Sequence, residues 1–391
     1  MNQSLFLHIV EKLEGFVGKL PGTIQKPILH ELTPLKELFL QQRPPRFVLV
    51  GSSKLPLPEI LPALFGFAAE ENRNALMEIF RWLDSNINER GTITVLDARG
   101  ADDSAVANIR DELKSQAADI FLFVDDGDAS RPPRKREIEN LAAFLQWSQE
   151  ATPDVKVIGV SLFDPRRNRT GDDAGRSVAE KQLTKLRAAI EENTAVRNHL
   201  IEIVEVPLVR EQSTDIQSET QRLISLLTQH LPNQARVEML RISRDRVAQI
   251  EVAQVLVKAT TAICTAIGTQ PIPLADLPIL TTLQLVMVSG IMYLSGRERS
   301  LRAATEFMGA LGANVGAGML LREGTRALLK FFPGWGNVVC GMVAGAGTYA
   351  IGRAAMVYFI EGVSLRDARR TYLASRKKSS RSKQASSVLS R

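Results

Sequence analysis

The chain has 391 residues, 45% of them hydrophobic and 24% charged, a balance that suits two or three globular domains and excludes wholesale disorder. Two cysteines, Cys264 and Cys340, both in apolar stretches, exclude a disulfide scaffold, and the four scattered histidines (His8, His30, His199, His230) lack Cys or carboxylate neighbours at ligand spacing, which argues against a zinc or iron site. The formal charge of +6 sits at one end: residues 364–391 carry nine Lys/Arg and one Asp, a net +8, so the body before them is near neutral at −2.

Residues 1–45 hold amphipathic material broken by Pro21-Gly22, Pro27, Pro34 and Pro44-Pro45, and the reading is a helical extension that packs onto the next domain. The opening MNQSLFLHIVEKLEG has no basic region, no long apolar core and no small-residue cleavage site, so residence on the cytoplasmic side is the expectation. From residue 46 to 232 short apolar runs alternate with charged amphipathic segments. The runs are Phe47–Val50, Ile93–Leu96, Ile120–Val124, Val155–Val160 and Ile201–Val206; the segments include Asp102–Gln116, Arg136–Glu150, Arg176–Glu192 and Ser218–Gln229. Continuous apolar strands between amphipathic helices predict an α/β domain, a mostly parallel sheet covered on both faces.

Within that domain the first strand runs into Gly51-Ser52-Ser53-Lys54-Leu55-Pro56-Leu57-Pro58, followed by Ala63-Leu64-Phe65-Gly66. This resembles the phosphate-binding loop and following helix of small GTPases of the Era-like group, whose loop reads Gly-x-x-x-x-Gly-Lys-Ser/Thr. Only the first glycine, Gly51, matches; Pro56, Leu57 and Pro58 stand at the second Gly, the Lys and the Ser/Thr. The loop works through backbone N–H groups aimed at phosphate, a lysine that neutralises it and a hydroxyl on magnesium. Two prolines have no N–H to give, and Leu57 has no charge. Lys54 sits early in the loop, where a solvated lysine is the plainer reading. Asp97-Ala98-Arg99-Gly100 matches the Asp-x-x-Gly in which the aspartate serves magnesium through water and the glycine senses the γ-phosphate; read without the resemblance, Asp97 caps the helix that follows. Asp164 is what remains of the guanine-reading Asn-Lys-x-Asp, or is a turn residue before Pro165. The nucleotide-binding set implied by the resemblance is therefore Gly51, Lys54, Asp97, Gly100 and Asp164, with no catalytic residues and no metal ligands. The losses remove most of the electrostatic positioning on which phosphoryl transfer depends.

Residues 233–374 read as an all-α domain. Charge-free stretches run from Leu277 to Gly296, 20 residues, from Phe307 to Leu321, and from Phe331 to Gly352, 22 residues. Two of these reach the roughly 20 apolar residues that cross a bilayer. Gly312-x-x-x-Gly316 and Gly341-x-x-x-Gly345 permit close helix approach, in lipid or in a tightly packed soluble bundle. Asp276, among Pro271, Pro273 and Pro278, suggests a helix break with a capping carboxylate. Residues 375–391 read as a basic disordered tail; without interleaved aromatics it offers no specific nucleic-acid site.

The stretches Gln270–Pro278, Phe332–Gly336 and Ala344–Gly352 resemble the YcjF-type C-terminal domain of unknown function found in some bacterial Era-like GTPases, over roughly Val237–Val363, and His30–Leu35 resembles the segment before the GTPase domain fused to it. The resemblance implies a P-loop NTPase-like fold, GTP or GDP with magnesium as ligands, and a membrane-associated bacterial protein. Set against the residue losses, the expectation is a pseudo-GTPase scaffold or regulator without a cofactor. Its partners would be a membrane and another protein, such as an active GTPase paralogue. A weak GTP- or GDP-binding protein is the alternative.

Overall fold

The computed structural model describes residues 15, 18, 22–39, 41–66, 80–87, 90–126, 135–163, 173–208, 214–269, 276–312 and 335–375. The chain divides into two compact units. One is continuous, Gln42–Ser243; the other combines Met1–Gln41 with Arg244–Arg391.

The continuous unit is built on a six-stranded sheet in the order β2-β3-β1-β4-β5-β6. The strands are β1 (Arg46–Gly51), β2 (Trp82–Ile87), β3 (Gly91–Asp97), β4 (Ile120–Asp125), β5 (Lys156–Phe163) and β6 (Leu200–Pro207). All pairings are parallel except β2 with β3. Alternate residues of each strand serve opposite faces. Phe47, Leu49, Ile120, Leu122, Val124, Ile158 and Val160 pack with the helices Leu57–Phe65, Thr214–His230 and Asn233–Ser243. Val48, Val50, Phe121, Phe123 and Val157 pack with Asp103–Ser115, Lys135–Gln149 and Asp173–Glu192. Burial on both faces is why these strands are apolar without alternation, and each fully buried side chain contributes about 1.5–3 kcal/mol of transfer free energy. The expected strands and helices of this domain are present. β2 was not expected. It is an edge strand, half polar, and its Asp84 accepts from the Thr94 hydroxyl at 2.7 Å.

Arg43 fixes the amino end of the sheet. Its guanidinium donates twice to Asp119, at 2.7 and 2.6 Å, and Asp119 also accepts from the backbone N–H of Arg46 at 2.9 Å.

The unit extends past the expected limit at residue 232. Asn233–Ser243 buries Ala235, Met239 and Ile242 in the α/β core, and its Glu238 accepts from the Thr92 N–H at 3.2 Å. The Leu231-Pro232 break is a corner: Arg236 donates to the carbonyls of Gln229 and Leu231 and closes the preceding helix.

The second unit is helical: Gly22–Phe39, Arg246–Gly268, Asp276–Leu294, Leu301–Gly312, Trp335–Phe359 and residues 365–375. Gly22–Phe39 packs against Arg246–Gly268 and belongs to this unit. Of the expected extension 1–45, Gly22–Phe39 therefore groups with the helical unit and residues 42–45 with the α/β unit. Asp245 caps Arg246–Gly268, accepting from the N–H groups of Val247 and Ala248 at 3.0 and 3.2 Å. Trp335–Phe359 runs antiparallel to it. A side-chain carbon on Gly341 would strike Thr265 and Thr269, one on Gly345 would strike Thr265, and one on Gly352 would strike Val257. The Gly341/Gly345 pair thus serves a contact within the unit. Gly316, Pro271, Pro273 and residues 376–391 lie outside the described residues. At one end of the bundle the Phe307 ring lies 5.3 Å from that of Tyr358 and 4.9 Å from that of Phe359, with the Arg297 guanidinium 5.1 Å from the Phe359 ring.

Candidate functional site

In a doubly wound sheet the ligand crevice lies at the carboxyl ends of the strands, where the order of connections reverses. Here β3 lies on one side of β1 and the next strand in sequence, β4, on the other, so the reversal falls at β1. Three segments meet at its carboxyl end: the loop 51–56 after β1, Asp97–Gly100 after β3, and Asp125-Asp126 at the end of β4.

Gly51 is needed there. Its φ of +110° is in the left-handed half of the map, and a side chain would run into the Val124 carbonyl. Ser52 turns back onto β4: its N–H donates to Val124 O at 2.8 Å and its hydroxyl to Asp126 at 2.8 Å. Gly100, with φ +67°, donates its N–H to Gly51 O at 3.2 Å. Lys54 is exposed, and its N–H donates to the Ser52 hydroxyl at 3.4 Å. Pro56 stands at the N-cap of Leu57–Phe65 without a side-chain cap, Pro58 takes the first turn, and Leu55 and Leu57 pack against the apolar core.

Arg99 occupies the centre of the site. Its side chain is 3% exposed. Nε donates to Asp97 Oδ1 at 2.7 Å and Nη2 to Asp97 Oδ2 at 2.8 Å. Nη1 donates to the carbonyls of Leu55 at 2.9 Å and Ser52 at 3.3 Å. Four of the five guanidinium N–H donors are thereby used, in the bidentate geometry that makes Arg–carboxylate pairs strong. Removing one partner of such a buried pair costs about 3–5 kcal/mol, because the other charge is left uncompensated.

These residues do not fit a magnesium–nucleotide pair. Both oxygens of Asp97 accept from Arg99, Leu57 packs on apolar side chains, and Pro56 and Pro58 carry no N–H. Of the expected set, Gly51, Asp97 and Gly100 come together. Lys54 lies exposed in the same loop, and Asp164 lies outside the described residues. The sequence reading passed over Arg99, Ser52 and Asp126. Arg99 stands in the turn after β3, and no spacing rule marked it in the sequence. Among the described residues no group of three or more His, Cys, Asp or Glu side chains is placed to hold a metal ion.

No protein-family model matches the chain, and no curated protein matches it.

Proposed function

We propose that the chain is a pseudo-GTPase, a degenerate relative of the Era-like GTPases with a P-loop NTPase-like domain joined to a YcjF-type helical domain. It acts as a scaffold or regulator at the cytoplasmic face of a bacterial membrane and does not hydrolyse GTP efficiently. The observation that carries this reading is Arg99 seated on both oxygens of Asp97. The carboxylate that would serve magnesium is neutralised from within the chain, at the crevice where an α/β sheet of this order takes its ligand.

Membrane association is supported by the helical unit. Arg246–Gly268 has 23 residues and is, among the described residues, the one helix long and apolar enough to cross a bilayer, with half of its apolar window buried inside the unit. At 1.5 Å per residue it is about 34 Å long, against a hydrocarbon core of about 30 Å. Met342, Val343 and Tyr349 are exposed on the charge-free part of Trp335–Phe359. The Arg297, Tyr358 and Phe359 cluster is of the kind that sits at headgroup level.

Titrating the purified full chain with fluorescent GDP and GTP, with and without magnesium, tests the first half of the proposal. We expect no saturable binding up to millimolar nucleotide; micromolar binding would overturn it. Flotation with vesicles tests the second half, and a chain that stays at the bottom of the gradient with every lipid composition refutes it.

A further inference from the structure

We propose that Arg99 is a resident cation that sets the loop 51–56 permanently, doing inside the chain what a bound magnesium–nucleotide pair does in a switching protein. The proposal rests on reading the unit as a degenerate nucleotide domain. A phosphate-binding loop turns its N–H groups inward around an anion. This loop has the opposite polarity: the carbonyls of Ser52 and Leu55 turn inward onto a buried guanidinium.

Residues at three strand ends contribute contacts to the loop. Arg99 joins it to Asp97, the Gly100 N–H reaches Gly51 O, Ser52 is tied to Val124 and Asp126, and Leu55 and Leu57 lie on the core. Arg99 thus joins the ends of β1 and β3, and Ser52 joins the end of β1 to that of β4. Such a loop has one setting whether nucleotide is present or absent, and a partner that docks on this end of the sheet meets a single surface. Arg99 is a positioning residue: it acts on the loop and on Asp97, and on no substrate.

The test is amide hydrogen exchange on the full chain, comparing the peptide that covers 51–61 with one that covers β4. In Arg99→Gln we expect exchange of the first peptide to rise roughly tenfold or more while β4 keeps its protection, as for a local opening. Arg99→Lys, which keeps the charge and loses the fork, gives an intermediate rise. If Arg99→Gln fails to fold, Asp97→Asn replaces it, since it removes the anchor of the guanidinium and must give the same local pattern. Loop exchange within twofold of wild type in the variant that folds overturns the latch. So does an equal rise across the whole sheet, which marks Arg99 as a general stabiliser. A wild-type loop whose exchange slows on adding GDP or GTP with magnesium overturns the pseudo-GTPase reading instead, because it reports a nucleotide site; the variant arm is independent of that result.

Discussion

The side-chain amide of Gln284 donates to Thr348 Oγ1 at 2.9 Å, and the fully buried Thr348 hydroxyl donates in turn to the Ala344 carbonyl at 2.9 Å. This pair joins Asp276–Leu294 to Trp335–Phe359 through a polar contact. Thr348→Val leaves the amide without its acceptor and should destabilise the helical unit by about 1–3 kcal/mol. Adding Gln284→Leu should recover most of that loss, because both partners are then gone. Chemical unfolding of the full chain and its two variants measures the difference.

Neighbouring glycines of Trp335–Phe359 should respond oppositely to the same substitution. Gly345 lies against Thr265, whereas a carbon added to Gly347 meets nothing within 4 Å. Gly345→Ala overpacks the contact and should cost about 1–3 kcal/mol. Gly347→Ala should be neutral or stabilise by up to about 1 kcal/mol through helix propensity alone. Thermal unfolding of the two variants decides this.

Asp102 caps the helix Asp103–Ser115, accepting from the Ser104 hydroxyl at 2.6 Å and the Ala105 N–H at 2.9 Å. The Ser104 hydroxyl, then the Ala105 N–H, hold its carboxyl below the usual carboxylate range. A depressed folded-state pKa stabilises the fold above the unfolded value of about 3.9, and the stabilisation is lost as pH falls through the folded value. Asp102→Asn keeps the cap without the titration. The wild type should therefore lead the variant in Tm at pH 7, and the lead should shrink as pH falls below the unfolded value of about 3.9.

Repairing the loop should not be enough to restore nucleotide binding. Pro56→Gly, Leu57→Lys and Pro58→Ser supply the missing N–H groups, the charge and the hydroxyl, but Arg99 still holds both oxygens of Asp97. We expect the triple variant to bind GDP weakly, with no gain from magnesium, and a quadruple variant with Arg99→Ala to gain a magnesium-dependent increment. Fluorescent-nucleotide titration with and without magnesium separates the two.

The strands of the α/β unit were legible because a sheet buried on both faces writes itself as unbroken Val, Ile, Leu and Phe runs. β2 was not, because only Ser85 and Ile87 of its residues are buried and nothing in Trp82–Ile87 repeats. The positions of Gly51, Asp97 and Gly100 were legible from their order along the chain. The role of Arg99 was not, because it depends on carbonyls 44 and 47 residues away in sequence, and Asp-x-x-Gly says nothing about its two middle residues. Gly341 and Gly345 announced a close contact but not the helix that fills it; Thr265 and Thr269 come from a segment more than 70 positions upstream. The expected limit at 232 differs from the compact unit's for a related reason: Pro232 marks a turn, and only the burial of Met239 and Ile242 shows to which side Asn233–Ser243 belongs.

The helical unit draws on both ends of the chain, and Gly22–Phe39 packs on Arg246–Gly268. On a ribosome the two are separated by about 200 residues, which at 5–20 residues per second is a delay of roughly 10–40 s. During that interval the contiguous α/β unit has everything it needs to fold, while Gly22–Phe39 waits, its apolar face open to chaperones, targeting factors or a bilayer. The order of synthesis therefore exposes Gly22–Phe39 to early capture, and the arrival of Arg246–Gly268 ends that exposure.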